Sequence, residues 1–304
     1  MNAKHELELK EKNISKLLFE EGTMVCTEHY PGHPWSLVKL ALLGQWAWVY
    51  TSILKKNWRG RIRYVDLLAG SGTTKIIETG DIVKGSPFVV EYFAYSPFDD
   101  YILIERDEER YTALKQNSKL LGKITEPIRG DCNKLVTQIF RDDSCHSLVF
   151  VDMEGFDLTW KNMEQIVKAS SDIIVNFPTS SFERTAALEN QHCLNDFFGD
   201  NSWATNALDR EAFLRLYMRK LKLTFETSRN QTPYVESIRV GNRSYFYDMI
   251  LVCKFGDYTN VWGGWMKERW NWQNPQQMKK LLDHLKGREP RLDDFFQTVR
   301  KNTS

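Results

Sequence analysis

The stretch Tyr64-Val65-Asp66-Leu67-Leu68-Ala69-Gly70-Ser71-Gly72 decides how this chain is read. A short apolar run, RYVDLL over 63–68, leads into a turn that carries two glycines. Gly70 and Gly72 allow the backbone to approach a ligand where a side chain would collide. Asp66 sets a carboxylate at the end of a first buried strand. A dinucleotide-binding turn has three glycines in G-x-G-x-x-G and a helix directly after it. Here Leu68 stands where the first glycine belongs, and residues 73–84 read as a loop, so the spacing disfavours a nicotinamide cofactor. A tight strand-to-helix turn with no ligand is the plain alternative.

Further apolar runs follow at YILIE (101–105), ITEPIRGD (124–131), SLVFVD (147–152) and DIIVNF (172–177). Between them lie SPFVVEYFAY, DEERYTALKQNSKLLG, NKLVTQIFRD and TWKNMEQIVKAS, which read as helices. Five alternations predict a parallel sheet with helices on both faces. The helix at Ser86 has a start signal: Gly85 breaks the loop, Ser86 is placed to cap, and Pro87 suits the first turn. Upstream, Trp35 to Trp58 is apolar enough to be one long buried helix. Downstream, REAFLRLYMRKLKL reads as a helix, and PYVESIRV and SYFYDMILVCKF alternate around Gly241-Asn242 as a hairpin. The reading divides the chain into a helical segment over 1–60, an α/β domain over 61–256 and a tryptophan-rich helical extension over 257–304.

Ligands of open parallel sheets bind outside the carboxyl ends of the strands, and four strand ends here carry acids: Asp66, Glu105, Asp131 and Asp152. Glu105 is placed to accept hydrogen bonds from both hydroxyls of a ribose, and Asp131, with the Cys132 amide, to hold an adenine edge. Acids at such positions also cap the helices that follow. After the fourth acid comes Asp152-Met153-Glu154-Gly155-Phe156. There Asp152 could orient a substrate, Glu154 adds a possible base and Phe156 could stack a planar ring. Asn176-Phe177-Pro178 ranks second as an acceptor-side amide and ring, with a helix start capped by Thr179 or Ser180 as its bland equivalent.

Composition narrows the rest. At 304 residues, 42% hydrophobic, 27% charged and net charge +1, the chain reads as globular, with no global field toward nucleic acid or acidic membrane. Lys55 to Arg63 holds five cations and Trp58. It precedes the first sheet strand and so lies away from the expected ligand edge, where a solvated helix end is the favoured reading. Five scattered cysteines predict neither a disulfide framework nor a zinc site. His29 and His33 lack partners for a metal. No G-x-S-x-G or G-x-x-x-x-G-K-[ST] motif occurs. With no signal-like stretch and no apolar run of bilayer length in the sequence, a cytoplasmic protein without membrane contact is expected.

These residues resemble the S-adenosylmethionine-dependent methyltransferase superfamily. Within it they look like the three-Cys-motif partner protein (TcmP) family, over roughly residues 30–255. The matching pieces are Lys39, YVDLLAGSG (64–72), GSP (85–87), IERD (104–107), VDMEGF (151–156), FFG (197–199) and Trp203. The resemblance implies a Rossmann-like class I methyltransferase sheet closed by an antiparallel hairpin, with S-adenosyl-L-methionine as cofactor. It implies that Asp66, Gly70 and Gly72 line the methionine part, Glu105 the ribose and Asp131 the base. A nucleobase in DNA or RNA is the expected acceptor. The family name further implies a partner protein that carries the three-cysteine motif. Amino-group methyltransferases use D-P-P-Y or a near relative where this chain has Asp152-Met153-Glu154-Gly155-Phe156, and both prolines are absent. A partner subunit that recognises protein, with a cofactor site vestigial or turned to other chemistry, is therefore the alternative. DLLAG also resembles the opening of cytosine-C5 methyltransferases, but no Pro-Cys pair occurs.

Overall fold

The computed structural model describes residues 29–33, 35–78, 80–122, 127–141, 144–187, 192–206, 209–241 and 245–270. It begins with β1 (Tyr30–Gly32) and the long helix α1 (Trp35–Asn57), followed by β2 (Arg61–Asp66), β3 (Thr73–Ile76), β4 (Ile82–Lys84) and α2 (Ser86–Phe93). Then β5 (Asp100–Glu105), α3 (Glu108–Asn117), β6 (Ile128–Arg129), α4 (Cys132–Ile139), β7 (Cys145–Asp152), α5 (Trp160–Lys168) and β8 (Ser171–Phe177) alternate. Short helices α6 (Phe182–Ala186), α7 (His192–Phe198) and α8 (Trp203–Asn206) lead to α9 (Arg210–Arg229). The hairpin β9 (Pro233–Gly241) and β10 (Phe246–Lys254) and a π-helical turn, Val261–Met266, follow.

Seven strands form the main sheet in the order β6-β5-β2-β7-β8-β10-β9. The first five run parallel, and β10 is antiparallel to both β8 and β9. The parallel sheet expected from the alternation is thus present, closed by an antiparallel hairpin in the Rossmann-like class I methyltransferase arrangement that the resemblance implied. The chain leaves β2 on one side toward β5 and returns on the other to β7, so a crevice opens at the carboxyl ends of β2 and β7.

Residues 73–84 are not a loop. β3 pairs antiparallel with β4 and parallel with β1, giving a second, three-stranded sheet. Threonine, isoleucine and valine suit a pleated surface, and Gly80, at φ 74°, turns the hairpin. The segment 124–131 contributes only the two residues of β6; 123–126 lie outside the described residues. Gly85 rather than Ser86 occupies the cap position of α2, with no side-chain cap bond. A Cβ on Gly85 would meet the backbone of Gly72 at 2.9 Å, so glycine is what lets the hairpin return against the turn.

The helix α1 is apolar all round, which marks a core helix, and it is buried at 14 positions between Leu37 and Thr51. It is long and apolar enough to cross a membrane by length and composition, yet most of it packs inside the protein. Trp46 lies edge-on to Trp262 at 5.9 Å and donates from Nε1 to Asp172 at 3.2 Å. The helix shares one core with the sheet and with Trp262 and Met266, while the opposite face packs on α5 and α9. Residues 1–28 of the expected helical segment and 271–304 of the tryptophan-rich extension lie outside the described residues. The cations of 55–63 are dispersed: Arg61 pairs with Asp100 at 2.5 Å, and buried Arg63 donates to Ser147 Oγ at 2.7 Å.

Helix α1 crosses α2 at Gly44, where a Cβ would meet the Phe93 ring at 2.7 Å and Val89 at 2.9 Å. Gly44→Val should therefore destabilise the fold by about 1–3 kcal/mol. Urea unfolding followed by circular dichroism would read this as a lowered midpoint, and an unchanged midpoint would contradict the crossing.

Candidate active site

Parallel strands release their carboxyl ends on one side of the sheet, and there the chain encloses a cavity of about 390 Å³. That lies within the ~300–1,000 Å³ usual for small-molecule sites. Its floor is the turn Leu67-Leu68-Ala69-Gly70 after β2; one wall is β1 with Thr73 and Thr74 of β3, and another is α1 through Trp35, Ser36, Lys39 and Leu40. Glu105, Asp131, Asp152 and Glu154 all line it, delivered by the ends of three strands, β5, β6 and β7, and the turns after them.

Gly70 lines the cavity at φ 60°, a left-handed conformation that favours glycine. Glu105 is buried, and its Oε1 accepts from the Asp107 amide at 2.8 Å, while Oε2 makes no hydrogen bond among the described residues. Asp131 caps α4, accepting from the Asn133 amide at 2.9 Å, and also lines the cavity. Asp152 Oδ2 accepts from Lys39 Nζ at 2.5 Å, and its Oδ1 from Asn176 Nδ2 at 2.8 Å. Glu154 lies at the rim, 3.9 Å from the Arg110 guanidinium. Partial burial, with Asp157 nearby, pushes its carboxyl above the ordinary value.

Three of the expected site residues lie elsewhere. Asp66 is fully buried and is not part of the cavity wall. It sits behind the glycine turn, where its Oδ2 accepts from Tyr64 Oη at 2.9 Å and from Ser86 Oγ at 2.5 Å. The Ser86 hydroxyl, expected to cap a helix, instead ties α2 to the end of β2. Burial pushes the Asp66 carboxyl up to about 7 despite those two donors. Gly72, at φ 74°, packs behind the wall against Gly85, Phe88 and Leu114. Phe156, read as a stacking ring, turns into the opposite core, edge-on to Phe197 at 5.1 Å and to Phe213 at 5.6 Å.

Other rings take the place expected of Phe156. His33 stacks on Trp35 at 4.4 Å, Tyr245 lies 6.0 Å from Trp35, and the Tyr247 hydroxyl donates to the Trp35 carbonyl at 2.9 Å. All four line the cavity. Lys39 also had a signal in the sequence, as the lone charge between Trp35 and Leu54 of an otherwise apolar helix. Among the described residues no cluster of His, Cys, Asp and Glu has the makings of a metal site.

No family model and no curated protein matches the sequence, so the TcmP likeness rests on the quoted motifs alone. Solved structures do match in shape. Protein LPL1258 from Legionella pneumophila str. Philadelphia 1 is 11% identical, with 81% of this chain and 92% of that one covered and a TM-score of 0.44. Cofactor-bound Rv0187 from MTB is 11% identical, with 83% and 89% covered and a TM-score of 0.42. The precorrin-6y C5,15-methyltransferase of Geobacter metallireducens GS-15 is 10% identical, with 67% and 87% covered and a TM-score of 0.34. These likenesses are of fold alone.

The Asp66 environment gives a pH signature. An unfolded aspartate titrates near ~3.9, whereas folded Asp66 holds its proton up to about 7. Between those values the folded state binds more protons than the unfolded chain, so stability falls as pH rises. Buried Asp172, also pushed up to about 7, acts in the same direction. Asp66→Asn keeps an oxygen to accept from Tyr64 and Ser86 but does not titrate. Its stability should fall less steeply between pH 4 and 7 (roughly the span of the two pKa values); a slope equal to that of the parent would contradict the buried carboxyl.

Proposed function

We propose that the chain is an S-adenosyl-L-methionine-dependent methyltransferase whose acceptor is a nucleobase. The observation that carries this reading is the convergence of Gly70, Glu105, Asp131 and Asp152 on one cavity at the switch point of the sheet. Glu105 would hold the ribose hydroxyls through its available oxygen, Asp131 with the Cys132 amide the base, and Gly70 would leave room for the methionine part. The cavity is lined by five carboxylates, with Asp157 the fifth, against the cations Lys39, Arg106 and Arg110, a balance that suits a sulfonium ligand. When bound, that cofactor supplies a methyl group on a positively charged sulfur that departs readily.

The protein's own part is then mostly positioning. Asp152, fixed by Lys39 and Asn176, orients the acceptor, and Glu154, its carboxyl pushed up, is the neighbouring group suited to take a proton. Asp66 serves from behind, holding the glycine turn against α2.

Calorimetry with S-adenosylmethionine and S-adenosylhomocysteine tests the cofactor site. Both should bind, and Glu105→Ala should weaken them roughly tenfold to a hundredfold, the worth of a charged hydrogen bond. No heat from a folded protein would overturn the reading and favour a subunit that recognises another protein, such as one with a three-cysteine motif. Asp152→Ala should abolish methyl transfer from labelled cofactor to pooled tRNA, rRNA and DNA while sparing cofactor affinity. Undiminished transfer would move the acceptor site away from β7.

A further inference from the structure

Three side chains from three elements meet at the acceptor end of the cavity: Lys39 of α1, Asp152 of β7 and Asn176 of β8. The Asn176 amide group donates to Asp152 Oδ1 at 2.8 Å and to the Met153 carbonyl at 3.4 Å. A flipped amide would set its oxygen against those two oxygens, so its orientation is fixed by its neighbours. Asn176 is more than nine-tenths buried, and its carbonyl oxygen has no hydrogen-bond donor among the described residues. A buried acceptor left without a donor is costly, and in a cavity wall it calls for a ligand N–H. Asp152 next to it has one protein donor on each oxygen, which leaves lone pairs for another.

Resting on the methyltransferase reading, we propose that this end of the cavity selects a flat heterocycle bearing an exocyclic amino group, through two acceptors, Asp152 and Asn176. An amino group offers two N–H donors to that pair, and the Lys39 ammonium faces the same site as a donor for an adjacent ring nitrogen or carbonyl. Trp35, His33 and Tyr245 give the ring its apolar surroundings. Cytosine, adenine and guanine meet the requirement. Uracil does not, because its single N–H lies between two carbonyls that would face the acceptors. The two acceptors thus come from separate strand ends, β7 and β8, in place of the single proline-bearing turn that the sequence lacks.

The test uses the full chain saturated with S-adenosylhomocysteine, so that added nucleosides cannot occupy the cofactor half. Saturation-transfer NMR then compares cytidine with uridine, and adenosine with N6,N6-dimethyladenosine. Cytidine should bind about tenfold more tightly than uridine, and adenosine more tightly than its dimethyl form, in keeping with the discrimination of a paired polar contact. Asn176→Ala should erase most of that preference while leaving S-adenosylhomocysteine affinity within about twofold, which also shows that the variant folds. Equal binding of cytidine and uridine, or an unchanged preference in Asn176→Ala, overturns the inference and leaves the cofactor reading standing. Failure of S-adenosylhomocysteine to bind overturns both.

Discussion

Gathering carboxylates at one edge of a sheet is electrostatically expensive, and this molecule compensates each one differently. Asp131 lies at the amino end of α4 and accepts from its first turn. Asp152 has a lysine on one oxygen and an amide on the other. Asp66 is removed from water, pushed up to about 7 and held by two hydroxyls. Glu105 and Asp131 each keep one oxygen without a partner in the described residues, both at the cavity, and of the two only Glu105 is buried. That unequal settlement separates framework acids from those left to meet a ligand.

The framework acid has the wider structural reach. Asp66 joins the end of β2 to the first residue of α2 through Ser86. The turn between them carries Gly70 and Gly72 in left-handed conformations, and the Gly85 amide donates to the Gly72 carbonyl at 2.8 Å. The β3–β4 hairpin therefore leaves and returns to the main fold at nearly the same place, and β1 can pair with the free edge of β3 to wall the cavity. Helix α1 completes the enclosure because it is buried in the core on one side of the sheet while its early turns supply Trp35 and Lys39 to the cavity.

Much of this was legible from the chain. Strand and helix alternate with different periods, and the acids fall at the ends of apolar runs, so the sheet and the placement of Glu105, Asp131 and Asp152 could be read directly. Contacts that depend on distant partners could not. Ser86 has the sequence of a helix cap, yet it falls at the first helical residue and its hydroxyl donates to Asp66, twenty residues earlier. Phe156 follows an acid at a strand end, but the aromatic side chains of α7 and α9 offer it a dry core. The hairpin over 73–84 was hidden because its third strand, β1, lies on the far side of α1 in the sequence. Asn176 was visible as a strand-end amide, whereas its lack of a donor among the described residues is a property of the folded state alone.

Under the proposed function, the cavity at β2 and β7 holds an adenosyl sulfonium through Glu105. A crystal structure of the full chain with S-adenosylhomocysteine tests it most directly. The ligand should occupy this cavity, with both ribose hydroxyls within hydrogen-bonding distance of the Glu105 carboxylate and the sulfur directed toward Asp152 and Asn176. A ligand bound elsewhere, or a ribose that does not reach Glu105, would contradict it.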